Sequence, residues 1–373
     1  MDYKLFTSES VAAGHPDKIC DQISDAILDA ALSQDPYSKV AVETLVTKDL
    51  VVLAGEVTSK ARLDYKKITS SVIKDLGYTN GMFGFSHESP ILVKIHEQSP
   101  EISVGVDSGG AGDQGMMFGF AINETSTLMP LPISIAHALI EKLDQVREQK
   151  KLSYLRPDGK SEVTVSYSKG KPTSLERVVL AAAHSEKIDH SQLKEDLYMY
   201  VAKPVLAKFG FKLNKNDLVV NGTGVWHIPG PSSDTGVTGR KIIVDSYGAF
   251  ARAGGGAFSG KDPTKVDRSG AYAARFIAKN IVAVGLADKV EVQIAYVIGQ
   301  KYPVAFSIES FGTEKKKPVV VEDFAKNLID LSVSGILSAL DLRRPIYRRT
   351  ARYGHFGRDG FPWEVVKKSP TKN

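Results

Sequence analysis

Apolar residues recur at helical spacing in several parts of this chain, and each of these parts predicts an amphipathic helix. The first follows Pro16, a residue that suits the opening turn of a helix, and its apolar positions continue to about Leu32. A later one begins near Val266 and carries a face rich in alanine and isoleucine. The complete set of predicted helices is 16–32, 60–75, 133–146, 193–206, 266–282, 321–328 and 332–340.

Between these helices, apolar and polar residues alternate over short stretches, as they do in strands with one buried face. The stretches 40–47 and 50–57 are separated only by Lys48-Asp49, which predicts a tight hairpin. Pro157-Asp158-Gly159 predicts a turn before a further strand. The complete set of predicted strands is 40–47, 50–57, 91–96, 116–123, 163–167, 175–183, 242–244, 290–298 and 302–307.

Strands and helices repeat loosely in three segments, at about 3–98, 110–226 and 228–363. The alternating strands favour mixed or antiparallel sheets covered by helices on one side, which is an α/β fold of the α+β type. No Gly-x-Gly-x-x-Gly follows an early strand, so a dinucleotide-binding fold is not expected. The segments share no self-similarity at a fixed period, and the pattern alone does not establish a triplication.

Composition narrows the class of protein. The 373 residues are 42% hydrophobic and 24% charged, as in an ordinary globular protein long enough for two or three domains. A net charge of +5 is too mild to indicate a nucleic-acid partner and suits an anionic small substrate. The single Cys20 excludes an internal disulfide and fits a reducing cytosol. We expect a cytoplasmic protein without a membrane partner, since no stretch approaches the ~20 apolar residues of a membrane span.

The richest chemical signal is the glycine-rich stretch 254–267, in which four glycines precede Lys261 and Lys265. A loop without side chains, two cations and the start of a helix together favour a polyphosphate. Asp262 and Asp267 would repel phosphate unless a divalent metal bridges them, which suggests Mg²⁺. Asp262 stands where a Walker A loop has Ser or Thr. The alternative is a flexible surface turn with solvated lysines.

Gly14-His15-Pro16-Asp17-Lys18 places three chemically active side chains at the start of the first helix. His15 could donate a proton, Asp17 could hold a metal and Lys18 could meet a phosphate. The alternative is a helix cap with solvated charges.

Three other sets of polar residues are weaker candidates. Glu43 and Glu56 lie inside predicted strands, where an acid is commonly solvent-facing. Arg240-Lys241 ends a second glycine-rich stretch and enters an apolar strand, with one basic group on each face; such a pair can also guard a sheet edge. The stretch 98–115 is glycine-rich and predicts a loop of the kind that often forms a lid.

The motifs Gly-His-Pro-Asp-Lys, Gly-Ala-Gly-Asp-Gln-Gly and Gly-Gly-Gly-Ala-Phe-Ser-Gly-Lys-Asp occur here in one order along nearly the full length. In this respect the chain resembles the S-adenosylmethionine synthetases (methionine adenosyltransferases). The resemblance implies three similar α/β domains around a pseudo-threefold axis, at 3–98, 116–226 and 228–363, with a mobile active-site loop at 99–115. It implies an enzyme that joins ATP and L-methionine and then hydrolyses the bound tripolyphosphate to phosphate and diphosphate.

The resemblance also assigns residues. It implies a homodimer or homotetramer with active sites between subunits, and Mg²⁺ and K⁺ as cofactors. The residues it assigns to catalysis are His15, Lys18, Lys160, Arg240, Lys241 and Lys261. Those it assigns to ATP are His15, Asp158, Gly159, Lys160, Val225, Trp226, Asp234, Arg240, Lys241, Ala257 and Lys261. Those it assigns to methionine are Glu56, Gln98, Asp113, Asp234 and Lys265, and those it assigns to metals are Asp17 and Asp267 for Mg²⁺ and Glu43 for K⁺.

Two rival interpretations stay open, and two departures from the family pattern motivate the first of them. Val225-Trp226 stands where relatives usually have a basic residue and Phe, and the segment between Val106 and Gly110 is short. A degenerate relative that only hydrolyses tripolyphosphate or binds nucleotide is one rival. A nucleic-acid binder using the same lysines is the other, although acids interleaved among those lysines argue against it.

Overall fold

The computed structural model describes residues 4–98 and 109–367. Helices and strands alternate along the described chain, as the periodicity predicts. The helices are α1 (Pro16–Gln34), α2 (Tyr65–Asp75), α3 (Leu131–Glu148), α4 (His190–Leu197), α5 (Lys203–Lys208), α6 (Ile242–Asp245), α7 (Val266–Ala283), α8 (Pro318–Lys326) and α9 (Val333–Ala339). The strands are β1 (Leu5–Val11), β2 (Lys39–Thr47), β3 (Leu50–Thr58), β4 (Ile91–His96), β5 (Gly115–Ile122), β6 (Leu155–Ser168), β7 (Lys171–His184), β8 (Leu218–Val220), β9 (Gly236–Val237), β10 (Lys289–Tyr296) and β11 (Ala305–Glu309).

The strands form three sheets. The three segments of strands and helices predicted from the sequence, at about 3–98, 110–226 and 228–363, are called thirds here, and each sheet contains one strand from a different third than its other strands. The orders are β4-β3-β2-β9, β1-β6-β7-β8 and β11-β10-β5. The N-terminal third therefore gives β1 to the central sheet, the central third gives β5 to the last sheet, and the last third gives β9 to the first. The pairs β3·β4 and β7·β8 are parallel and the other pairs are antiparallel. This cyclic exchange ties the three thirds together through backbone hydrogen bonds.

One long helix covers each sheet. Helix α1 packs on β2, α3 packs on β6 and β1, and α7 packs on β5 and β10. The apolar spacing that predicts α1 is the buried face itself, since Ile19, Ile23 and Ile27 are fully buried. A continuous hydrophobic core joins the three helix–sheet layers. The α/β architecture and the three-domain organisation expected from the sequence are confirmed.

Two local predictions are wrong. Pro157-Asp158-Gly159 is not a turn, because it lies inside β6, where the register with β7 shifts between Leu155 and Gly159. Such a bulge accommodates a proline that cannot donate a ladder hydrogen bond. The predicted strand 242–244 is the short helix α6, because a brief apolar run does not distinguish a strand from a buried helical turn. The basic groups of Arg240 and Lys241 therefore do not point to opposite faces of a strand.

Most of the predicted mobile loop, residues 99–108, lies outside the described residues. The described ranges contain no helix long and apolar enough to cross a membrane.

Candidate functional site

His15 lies at the N-terminus of α1, where its backbone forms the N-cap and its side chain is buried. Its Nδ1 accepts a hydrogen bond from the Asp17 backbone N–H at 3.2 Å, which orients the imidazole. Burial is the main cause that lowers the pKa of His15 to about 3, and Lys241, Lys160 and Lys18 lower it further. The imidazole is therefore neutral at physiological pH and sits among cations, as a hydrogen-bonding group beside an anionic ligand should.

Asp17 links the start of α1 to the segment that carries the basic pair. Its Oδ2 accepts a hydrogen bond from Lys241 Nζ at 2.5 Å, and its Oδ1 accepts one from the Val237 backbone N–H at 2.9 Å. Arg240 Nε lies 3.9 Å from Oδ1. Burial raises the pKa of Asp17, but the hydrogen bonds from Lys241 and Val237 outweigh it, so the pKa is lowered. Asp17 is consequently an ionised carboxylate.

Strand β6 contributes a further member of this group, Lys160. The Ala12 backbone N–H donates to Gly159 O at 2.8 Å, and Lys160 pairs in register with Val11. Lys160 is exposed and close enough to His15 to lower its pKa. The structure therefore brings together one set of predicted residues, which we call the His15 cluster: His15, Asp17, Lys160, Arg240 and Lys241.

Asp158 and Gly159 contribute to the structure of the backbone around this cluster. Asp158 is buried, and its Oδ2 accepts a hydrogen bond from the Gly230 backbone N–H at 2.8 Å. Burial raises the pKa of Asp158 to about 7. A Cβ on Gly159 would lie 2.7 Å from Leu143 Cδ2 and 3.1 Å from Ala181 O, so β6 packs closely on α3 at this position.

Lys18 has different surroundings from those its sequence position suggests. Its Nζ is buried between Asp21 Oδ2 at 2.9 Å and Asp245 Oδ1 at 2.5 Å. These two carboxylates offset the burial and raise its pKa. In this structure Lys18 joins α1 to α6 instead of facing the exposed cations of the His15 cluster.

A second group of predicted residues lies at the N-terminus of α7. Lys261 Nζ donates to Asp267 Oδ2 at 2.5 Å, and both side chains are partly accessible. Lys265 Nζ lies 3.1 Å from the fully buried Asp262. We call these four residues the Lys261 cluster. A Cβ on Gly256 would lie 2.3 Å from the Asp267 carboxyl carbon, so the glycine-rich loop can pass this carboxylate only without a side chain.

The strand acids lie near the Lys261 cluster. Ala41 of β2 bridges Lys261 on one side and pairs with Glu56 of β3 on the other. Glu56 Oε1 lies 3.4 Å from His96 Nε2. Glu43 is exposed on the same strand as Ala41, two residues further along.

The remaining predicted site residues lie on exposed loops or at loop junctions. Trp226 is partly exposed, and its Nε1 donates to Ile228 O at 2.9 Å, while Val225 is exposed. Asp234 is exposed. The Asp113 Oδ1 accepts from the Gln114 backbone N–H, and the Gln98 N–H donates to Thr58 Oγ1. Ala257 packs against Gly239, where an added Cβ would lie 2.4 Å from the Ala257 Cβ.

A stripe of acids on α1 ties this helix to the last third of the chain, and of its members only Asp17 was predicted from the sequence as a site residue. Asp17, Asp21, Asp25 and Asp29 recur every four residues along one line of α1, and each accepts backbone N–H groups from the last third of the chain. Asp21 accepts from Gly239 at 2.8 Å, Asp25 accepts from Gly260 at 2.9 Å, and Asp29 accepts from 347 and 348 at 2.9 Å each. The signal that could have identified them was four carboxylates at helical spacing on α1, a helix whose residues from Pro16 to Leu28 are all buried.

Two acids of the clusters fit Mg²⁺ by their chemistry. Carboxylate oxygens are the ligands that Mg²⁺ prefers, and it usually takes one or two of them together with water and substrate phosphates. The oxygens of Asp17 and Asp267 each have acceptor capacity beyond the lysine that contacts them. Among the described residues, no three His, Cys, Asp or Glu side chains converge into a metal-binding group. Asp17 and Asp267 therefore fit a metal ion that a phosphate ligand also helps to hold.

Comparison with known proteins decides the family. Residues 3–100, 108–226 and 228–365 match the models of the N-terminal, central and C-terminal domains of S-adenosylmethionine synthetase. The chain belongs to the S-adenosylmethionine synthetase family. A relative from Desulforudis audaxviator (strain MP104C), an S-adenosylmethionine synthase, is 50% identical over 391 aligned positions, covering 99% of this chain and 98% of the relative.

These matches confirm the predicted family and the predicted activity, so the chain is an enzyme of the methionine adenosyltransferase class. The individual site residues, the two metals, the oligomeric state, the domain boundaries and the cytoplasmic location stay predictions. The same holds for the expectation of no nucleic-acid partner.

Proposed function

We propose that this S-adenosylmethionine synthetase carries out its reaction where the His15 cluster of one subunit meets the Lys261 cluster of a partner subunit. One observation carries the proposal: each cluster sets a lysine–aspartate pair, Lys241–Asp17 and Lys261–Asp267, at the N-terminus of a long helix. Both helix N-termini favour an anion. In the described chain no hydrogen bond or ion pair joins the two clusters.

The distance between the two clusters within one chain supports an active site that two subunits share. Asp17 contacts the segment beside the His15 cluster, and Asp25 contacts Gly260 beside the Lys261 cluster. Eight residues of α1 separate these two acids, which is roughly 12 Å along the helix axis. The enzyme would then act as a homodimer, or as a homotetramer of paired dimers, with ATP and L-methionine bound between subunits.

The chemistry explains why cations dominate the site. The methionine sulfur is a neutral, weak nucleophile, so the protein contributes chiefly by aligning it with the ribose C5′. The C5′–O5′ bond breaks as the C–S bond forms, and negative charge grows on the departing tripolyphosphate. Lys160, Arg240, Lys241 and Lys261 would stabilise that charge, and neutral His15 would hydrogen-bond the leaving oxygen.

Residues around the clusters would bind the rest of the substrates. Glu56, Gln98, Asp113, Asp234 and Lys265 would hold methionine, with carboxylates facing its ammonium group. Trp226 would stack on adenine, helped by Val225 and Asp158 at the same end of the nucleotide. Asp17 and Asp267 would hold Mg²⁺, which neutralises phosphate charge when bound, and Glu43 would serve K⁺.

Mixing two inactive variants tests the shared site. We expect His15→Asn and Lys261→Met each to abolish most turnover as homo-oligomers. When the two are co-expressed and their hetero-oligomers are purified, one site of each dimer contains both intact clusters, and activity returns. If both clusters of a site came from one chain, every site would carry one substitution and no activity would return.

Product analysis separates synthesis from the degenerate alternative. The purified enzyme with ATP, methionine, Mg²⁺ and K⁺ should form S-adenosylmethionine, phosphate and diphosphate in equal amounts. Phosphate release from tripolyphosphate without formation of the sulfonium product would contradict the assigned reaction.

A further inference from the structure

Asp144 is a buried carboxylate of α3 that the reaction does not use directly, yet it contacts the backbone next to His15. Its Oδ2 accepts a hydrogen bond from the Ala13 N–H at 2.9 Å and another from Tyr353 OH at 2.8 Å. Arg147 lies 3.7 Å from its Oδ1, one turn further along the helix. Asp144 is 2% exposed, so these contacts are made away from solvent.

Side chains from several elements hold the backbone of Ala13-Gly14. Gln22 Nε2 donates to Ala13 O at 2.7 Å, and Tyr78 OH donates to Gly14 O at 2.7 Å. A Cβ on Gly14 would lie 2.2 Å from Pro157 O, so this peptide packs directly on β6. The contact from Asp144 to Ala13 is the one made by a carboxyl group, and a hydrogen bond to a carboxylate is stronger than one between neutral groups.

From this geometry we infer that Asp144 is a positioning residue for His15, supported by Tyr353. The inference rests on the proposed role of His15 at the leaving oxygen. The Ala13 N–H fixes the strand-to-helix connection that ends in the His15 N-cap, and Tyr353 holds the carboxylate at the correct place. Loss of the carboxylate leaves the Ala13 N–H buried without a partner, and the connection must shift to satisfy it.

A small shift here affects the reaction more than it affects substrate binding. The basic groups of Lys160, Arg240 and Lys241 lie on β6 and on the segment before α6, and the hydrogen bonds and ion pair of Asp144 reach none of these three side chains. The imidazole must meet the leaving oxygen in the transition state, and a displacement of about 1 Å from a productive geometry can cost on the order of a hundredfold in rate. Asp144 should therefore act on kcat and leave the KM values for ATP and methionine nearly unchanged.

Steady-state kinetics of Asp144→Ala, Asp144→Asn and Tyr353→Phe test the inference. We expect kcat to fall by roughly ten- to a hundredfold in Asp144→Ala at nearly constant KM. Asp144→Asn, which keeps an oxygen acceptor for the Ala13 N–H, should recover most of that loss. Tyr353→Phe should have a smaller effect of the same kind. A matched control is Asp29→Ala, which removes a partly buried carboxylate that also accepts backbone N–H groups, but at 347 and 348.

Asp29→Ala should lower the melting temperature without lowering kcat per folded site. Equal kcat losses in Asp144→Ala and Asp29→Ala would overturn the inference, because they would reflect general destabilisation. The double variant His15→Asn/Asp144→Ala separates the two claims. If Asp144 acts through His15, kcat of the double variant equals that of His15→Asn alone. A further loss in the double variant overturns the positioning role, whereas full turnover in His15→Asn overturns the proposed role of His15 itself.

Discussion

The ion pair between Asp25 and Arg268 connects the stripe of acids on α1 to the first turn of α7, directly after the glycine-rich loop, and removing it should be costly. Arg268 donates to Asp25 through both terminal nitrogens, at 2.7 and 2.8 Å, and both side chains are fully buried. Asp25 Oδ1 also accepts from the Gly260 N–H. Asp25→Ala therefore leaves one buried guanidinium without its counter-charge and one buried N–H without its acceptor.

The cost of Asp25→Ala follows from these contacts. Removing one partner of a buried ion pair costs about 3–5 kcal/mol, because the other charge stays in a low-dielectric interior. Arg268 keeps hydrogen bonds to Thr350, Tyr272 and the Lys261 carbonyl, so the lower half of that range is expected. The unpaired Gly260 N–H adds about 1 kcal/mol or more. We expect a loss of about 4 kcal/mol in the free energy of unfolding.

Denaturant unfolding at one fixed protein concentration measures this loss, since an oligomer's apparent stability depends on concentration. Asp288→Ala is the control, because Asp288 pairs with Lys315 at 2.6 Å on the surface, and such a pair contributes about 0–1 kcal/mol. Arg268→Met combined with Asp25→Ala should recover part of the loss by removing the uncompensated charge. A loss below about 1 kcal/mol in Asp25→Ala would refute the reasoning.

Three further predictions concern the site and its surroundings. Lys261→Met should lower kcat by about 10²–10³-fold, with little change in melting temperature, because in the proposed reaction its partly exposed amine stabilises charge in the transition state. Trp226→Ala should raise the KM for ATP up to about tenfold and leave the KM for methionine unchanged, since only the proposed stacking on adenine is lost; equal changes in both would argue against stacking. Burial, with a smaller effect from Arg358, lowers the pKa of His137 from 6.5 to about 3. The stability that neutral His137 provides is therefore full above pH 6.5 and is lost as pH falls towards 3. His137→Gln should flatten the fall in unfolding free energy over that range, and an unchanged slope would contradict this assignment.

The sequence was sufficient for the long helices and for much of the candidate site because the relevant signals are local. The apolar spacing of α1 and α7 sets both their bounds and their buried faces. Glycines next to charged residues at both helix starts mark the two clusters in the sequence itself. Proximity within the Lys261 cluster follows from short sequence separations, as between Lys261 and Asp267. In the His15 cluster only His15 and Asp17 are close in sequence, since Asp17 and Lys241 are 224 residues apart.

The rest depends on contacts between distant parts of the chain, which no local pattern records. The exchange of β1, β5 and β9 among the sheets sets which segments lie side by side. Lys18 resembles a phosphate ligand in sequence, but its partner Asp245 is contributed by a helix 227 residues away. Asp144 is unremarkable in the sequence of α3, and its contact with Ala13 exists only once α3 has packed on β1.

The most direct measurement is a structure of the enzyme with a non-hydrolysable ATP analogue, methionine and Mg²⁺. We predict one triphosphate contacted by His15, Lys160 and Lys241 of one subunit, with Lys261 and Asp267 contributed by the adjacent subunit of the same assembly. A triphosphate bound elsewhere, or bound without residues of either cluster, would contradict the account.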